Sequence, residues 1–234
     1  MNRPLFFDAL RRSLFGGRLN GSQVVGLESL LDAAPAGLPS SHLAYCLATA
    51  FHETARTMRP IREFGGPAYF HRMYDPQGDR PSVAKALGNV RPGDGALFAG
   101  RGFVQLTGRS NYARAARLTG EDLIDAPDLA LRSDLAARIL FEGMSDGWFT
   151  GRKLSDHFAT GRSDPIGARR IVNGTDRADL IAGYHQSFAS ALAAGGHGAT
   201  TPPDIPGPAI LVEAPRPASA GFFARLLRSL TGKA

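Results

Sequence analysis

The sequence predicts a mainly α-helical domain whose cleft is built from loops. Apolar residues recur every three or four positions in successive segments. Strand signals are sparse, with Phe103-Val104-Gln105-Leu106 as the one short candidate. Residues 60–104 are dense in Gly and Pro, which rules out long helices. Their aromatics (Phe64, Tyr69, Phe70, Tyr74, Phe98, Phe103) mark an ordered, functional loop region rather than disorder.

In chain order, Phe6, Phe7, Leu10 and Leu14 form one apolar stripe, broken by Gly16-Gly17. Val24, Val25, Leu27, Leu30 and Leu31 form the next, closed by Pro35 and Gly37. Residues 40–57 give the clearest helix, with Ser40 or Ser41 as cap and an apolar face of Leu43, Cys46, Leu47, Ala50, Phe51 and Thr54. After the loop region, helices are expected over 112–118, 129–149, 165–172 and 179–192. The expected organisation is a catalytic domain over 1–194, a Gly/Pro/Ala-rich linker over 195–218, and a short basic amphipathic segment over 219–234. That last segment sets Phe222, Phe223, Leu226, Leu227 and Leu230 against Arg225, Arg228 and Lys233. It reads either as a weak contact for an anionic membrane or as a helix that docks back or frays.

The chain has 234 residues and a formal charge of +6, a balance that favours anionic partners. The arginines are scattered, without a basic-aromatic stripe, so no nucleic-acid partner is expected. Cys46, the one cysteine, lies in an apolar run and reads as a buried small hydrophobe; no intramolecular disulfide can form. Asp8, Arg11 and Arg12 interrupt any signal-like apolar run, and no stretch reaches the ~20 apolar residues of a membrane span. The expectation is a monomer made in the cytoplasm that reaches a cell wall after release or holin-type export.

Six glutamates occur: Glu28, Glu53, Glu63, Glu121, Glu142 and Glu213. Glu53 stands at the edge of the apolar stripe of the best helix, where desolvation favours the protonated form that a general acid needs. Glu63 follows in a basic setting, where Arg59 and Arg62 favour the charged form that a general base needs. Two carboxyls whose surroundings push their pKa values apart form the pattern for glycoside hydrolysis, although two glutamates this close in sequence are more often solvated surface groups. His52-Glu53 lacks the second histidine of a zinc helix, since position 56 is Arg, so no metal and no cofactor are expected. In the stretch from Gly100 to Tyr112, strand alternation would put Gln105 and Thr107 on one face. With Asn111, these side chains can bind a water and the N-acetyl and hydroxyl groups of a sugar, or simply form a satisfied strand and turn. Arg101 and Arg109 could orient Glu63, bind an anionic substrate group, or brace the loops.

The order His52-Glu53-Thr54, Glu63, Gly100-Arg101-Gly102-x-x-Gln105-Leu106-Thr107-x-x-x-Asn111-Tyr112 resembles family 19 of the glycoside hydrolases, over about residues 40–175. The resemblance implies a two-lobed, lysozyme-like helical domain and single-displacement hydrolysis with inversion. It implies Glu53 as general acid, Glu63 as general base and Thr107 as a holder of the attacking water. Cleft residues by the same resemblance are Gln105, Asn111, Tyr112 and Asn173, the last from Ile171-Val172-Asn173-Gly174, with Arg101 and His52 beside them. The segment from Phe6 to Gly17 resembles phage-borne members, and the absence of disulfides resembles the endolysin branch. A peptidoglycan-degrading endolysin is therefore the main expectation. A chitinase acting on chitin and a non-catalytic wall-binding domain are the alternatives.

Overall fold

The computed structural model describes residues 1–198; the expected linker beyond 198 and the basic segment over 219–234 lie outside the described residues. Helix α1 (Arg3–Ser13) starts with Asn2, whose side chain accepts from the Leu5 amide. Helix α2 (Gly21–Ala33) starts with a reciprocal box: Asn20 accepts from the Gln23 amide at 2.9 Å, and Gln23 accepts from the Asn20 amide at 3.0 Å. Helix α3 (Ser40–Glu53) ends four residues before the sequence expectation and has no side-chain cap. The Ser40 hydroxyl instead meets His197 Nδ1 at 2.8 Å. Nor is α3 one-sided. Every residue from Leu43 to Phe51 is buried, because α9 (Ala178–Ala194) and α8 (Ser133–Asp146) pack on it from different sides. Small residues Ala44, Ala48 and Ala50 let neighbours approach, and Cys46 is fully buried as expected.

Helix α1 also packs on α9, and α2 packs on α8. These five helices enclose the main core, including Phe6, Leu27, Tyr45, Phe51, Phe141 and Phe188. A second, small cluster of Tyr74, Val83 and Leu87, with Phe70 and Met73 against it, belongs to α4 (Pro67–Tyr74) and α5 (Pro81–Ala86). Helix α6 (Asp94–Leu97) packs on α4. Two apolar clusters of unequal size give the two-lobed, mainly helical fold that the sequence predicts.

A two-residue ladder joins the halves: β1 (Ile61–Arg62) runs antiparallel to β2 (Arg101–Gly102), with Ile61 opposite Gly102 and Arg62 opposite Arg101. The strand expected at 103–106 is a tight turn after β2, which Arg101 and Leu106 close. Helix α7 (Arg109–Thr119) follows. The helix expected over 129–149 is two elements, a 3-10 turn (Pro127–Leu131) and α8, because Arg132 between them is extended at ψ 130°. The segment 165–172 is also a 3-10 turn (Gly167–Ile171), started by the Asp164 carboxylate accepting from the Gly167 amide at 2.8 Å. A second ladder, β3 (Phe158–Ala159) with β4 (Arg162–Ser163), was not foreseen. No helix among the described residues is long and apolar enough to cross a membrane.

Candidate active site

Glu53 is the last residue of α3, held at 5% exposure by the main core. Its Oε1 accepts from Arg169 Nη1 at 2.8 Å, and Arg169 is 1% exposed. The 3-10 turn that carries Arg169 also anchors Asn173, whose amide donates to the Arg169 carbonyl at 3.0 Å. Arg169 Nε donates to the Asp176 carbonyl. Glu53 is therefore one half of a buried ion pair, and not the isolated desolvated carboxyl that the helix pattern suggested. His52, half-buried beside it, is pushed down to about 4 by burial, which the Glu53 charge opposes, so its imidazole is neutral at pH 7.

The chain leaves α3 through a turn that tolerates left-handed backbone without glycine: Ala55, Arg56 and Met58 all have positive φ. Local bonds fix it. The Thr54 hydroxyl donates to the Ala50 carbonyl at 2.7 Å and accepts from the Met58 amide at 3.1 Å. The Arg56 carbonyl accepts from Gln23. Gly26 of α2 lies so close to the Met58 carbonyl that a Cβ there would overlap it.

The β1–β2 register then carries Glu63 opposite Gly100. The Glu63 amide donates to the Gly100 carbonyl at 2.8 Å, and the Gly100 amide donates back to Glu63 Oε2 at 3.1 Å. Tyr74 donates its hydroxyl to Glu63 Oε1 at 2.6 Å. Burial raises the Glu63 pKa to about 7, and the hydrogen bonds from Tyr74 and Gly100 hold it from rising further. The expectation that Arg59 and Arg62 would keep Glu63 charged is corrected. Both arginines are exposed, and Arg62 pairs with Asp128 instead.

Gln105, Thr107 and Glu63 converge at one spot. A Cβ placed on Gly100 would lie 2.8 Å from Gln105 Oε1, 3.1 Å from Glu63 Oε2 and 3.2 Å from Thr107 Oγ1. Strand alternation does not cause this, since Gln105 has φ +55° and sits in the turn. Gln105 Nε2 donates to the Ile61 and Gly102 carbonyls, which aims its buried, unbonded Oε1 inward. The Thr107 hydroxyl donates to the Gln105 carbonyl at 2.9 Å, leaving its lone pairs free to accept.

Two expected substrate contacts, Tyr112 and Arg101, are buried braces. Tyr112 is fully buried, donating to the Ala99 carbonyl and accepting from Arg101 Nη1, both at 2.9 Å. Arg101 is 4% exposed and also bonds the Leu97 and Ala99 carbonyls and Asp128. Asn111 Nδ2 donates to the Thr107 carbonyl at 3.0 Å. Arg109 likewise pairs twice with Asp94 and lies over the Phe98 ring. Sequence reasoning missed two residues. Arg169 could have been suspected as a charge among small apolar neighbours, four positions before Asn173. Tyr74 carried no signal beyond its aromaticity.

No family model matches the chain. The acidic 27 kDa endochitinase of Solanum lycopersicum is 39% identical over 89 residues, which cover 36% of this chain and 35% of that protein. The chain thus spans about a third of the length of that curated relative. Chitinase C from Streptomyces griseus HUT6037 superposes with a TM-score of 0.52 at 19% identity, covering 86% of this chain and 78% of that one. A bacterial family 19 chitinase aligns with a TM-score of 0.47 at 20% identity, covering 80% and 92%. These relatives are chitinases, which overturns the expectation of a peptidoglycan-degrading endolysin in favour of its alternative. The resemblance to the family 19 glycoside hydrolases is borne out: the chain is similar in sequence to a plant endochitinase over about a third of its length and shares a fold with a bacterial chitinase over most of it.

Proposed function

We propose that the chain is a chitinase that hydrolyses the β-1,4 bonds of N-acetylglucosamine polymers by single displacement with inversion. The observation that carries this reading is the meeting of Glu63 Oε2, Gln105 Oε1 and Thr107 Oγ1 beside Gly100. All three oxygens can accept, so a water beside them would donate its two hydrogens to two of the three. Glu63 takes a proton from that water as it attacks the anomeric carbon. Its pKa of about 7 makes it a far stronger base than an ordinary carboxylate while leaving it ionised above neutrality. Glu53 donates a proton to the departing glycosidic oxygen. Arg169 engages Oε1, so Oε2 is the oxygen left for that transfer. An inverting pair works with its carboxyls roughly 6.5–9.5 Å apart, room for a sugar carbon and a water. The likeness of the chain to a plant endochitinase and to a bacterial chitinase favours chitin as the polymer.

The test is hydrolysis of chitin hexamer by Glu53→Gln and Glu63→Gln. Each variant should lose at least about a hundredfold in kcat, the usual contribution of a general acid or base. In the parent, kcat should climb as pH rises through about 7, the value at which Glu63 ionises. A variant that retains parental kcat excludes that carboxyl from the chemistry.

A further inference from the structure

A glutamate side chain does not by itself fix the plane of its carboxylate, because the last torsion is broad and two-fold. At Glu63 that plane decides which oxygen faces Gln105 and Thr107. The Gly100 amide holds Oε2 from one side. The other oxygen is held from α4: Tyr74, 1% exposed, donates to Oε1 at 2.6 Å. Tyr74 is itself fixed. Its ring stacks on Phe70 at 6.3 Å and 15°, and its carbonyl accepts from Asn89 Nδ2 at 2.9 Å. The Tyr69 ring, five residues earlier on the same helix, meets the Tyr74 ring edge-on at 6.4 Å and 82°. A phenol has one hydroxyl hydrogen, and Tyr74 directs its own to Glu63. Burial and the adjacent carboxylate push the Tyr74 hydroxyl well up, so that hydrogen stays in place at every working pH.

We propose that Tyr74, backed by Tyr69, is a positioning residue that locks the Glu63 carboxylate with Oε2 facing Gln105 and Thr107, an inference that rests on Glu63 acting as the base. Half-buried Tyr69 packs edge-on against buried Tyr74, which donates to Oε1. The titratable groups facing Glu63 are these two tyrosines from α4. The 100–107 segment faces it with a backbone amide, the Gln105 amide and the Thr107 hydroxyl.

The experiment is a carbon-13 titration of the Glu63 carboxyl in the full chain, together with steady-state kinetics on chitin hexamer, for Tyr74→Phe and for Tyr69→Leu, which removes the ring packed on Tyr74. Loss of a donor to the carboxylate should move the Tyr74→Phe titration midpoint upward by at least about half a pH unit. The same variant should lower kcat roughly tenfold, with KM within about twofold, because the base is misaimed rather than the sugar released. Tyr69→Leu should move both in the same direction by less, because Tyr74 loses the ring that packs on it. It decides the matter alone if Tyr74→Phe does not fold, since its ring is only half-buried. A parental midpoint and parental kcat in the folded variants overturn the proposal. An inactive parent overturns the chitinase reading, and the titration then tests the hydrogen bond independently of it.

Discussion

Glu53 and Glu63 share the same 5% exposure and differ in what meets them. Glu53 ends a helix in the large core and pairs with a guanidinium at 2.8 Å. Glu63 ends a two-residue ladder between lobes and meets only neutral donors, a phenol and a backbone amide. At equal exposure the partners differ: desolvation raises the Glu63 pKa because only neutral donors meet it, whereas Glu53 sits against a guanidinium. The contrast also separates two design problems. A buried ion pair is rigid but leaves one oxygen for a proton. A buried carboxyl with neutral donors is a strong base that destabilises the fold when it ionises.

The comparison breaks most sharply at Arg169. Arg169→Met leaves Glu53 as an uncompensated buried charge and should lower stability by about 3–5 kcal/mol, read by urea unfolding. Loss under about 1 kcal/mol would show that the pair does not hold the site. Glu63→Gln should act in the opposite direction. The folded chain raises the Glu63 pKa from 4.5 to about 7 and so binds that proton more tightly than the unfolded chain. The native carboxyl therefore weighs against folding increasingly as pH rises from about 4.5 to about 7. Glu63→Gln should gain about 1–3 kcal/mol at about pH 8 and nothing at about pH 4, measured by denaturant unfolding at both. Equal effects at the two pH values would contradict the assignment of Glu63 as the desolvated member.

Gly100→Ala sharpens the contrast from the Glu63 side alone. The added methyl would press on Gln105, Glu63 and Thr107 together. It should cut kcat by up to about a hundredfold, the cost of a misplacement of roughly 1 Å, while leaving Glu53 untouched. The smallest effect belongs to Tyr112→Phe. Losing its bonds to Ala99 and Arg101 should lower stability by about 1 kcal/mol, with KM for chitin hexamer unchanged. A raised KM with unchanged stability would restore Tyr112 as a sugar contact.

Much of the fold was legible because it depends on local pattern. Stripes at three- and four-residue spacing located α1, α2, α3, α7, α8 and α9, and Gly and Pro density marked the region between lobes. The boundaries were not legible where tertiary contacts decide them. α3 stops at Glu53 because Thr54 turns its hydroxyl back on Ala50 and catches Met58. At the site, the residue types were legible and their partners were not. Gln105 and Thr107 do lie together with Glu63, but through a left-handed turn at Gln105 rather than strand alternation. Arg62 and Arg101 looked like charges for the cleft, and a single distant acid, Asp128, takes both. Arg169 lies 116 residues from Glu53, and no local pattern announces a pairing of that range.

The most direct measurement is the configuration of the first product, followed by proton NMR during the opening minutes of chitin hexamer hydrolysis. Attack by a water held beside Glu63, on the face away from the bond that Glu53 protonates, produces the α-anomer before mutarotation. A β-anomer at the earliest times would mean that a carboxylate of the protein or the sugar's own acetamido oxygen attacks first, and the division of labour between the ion-paired and the unpaired glutamate would be wrong.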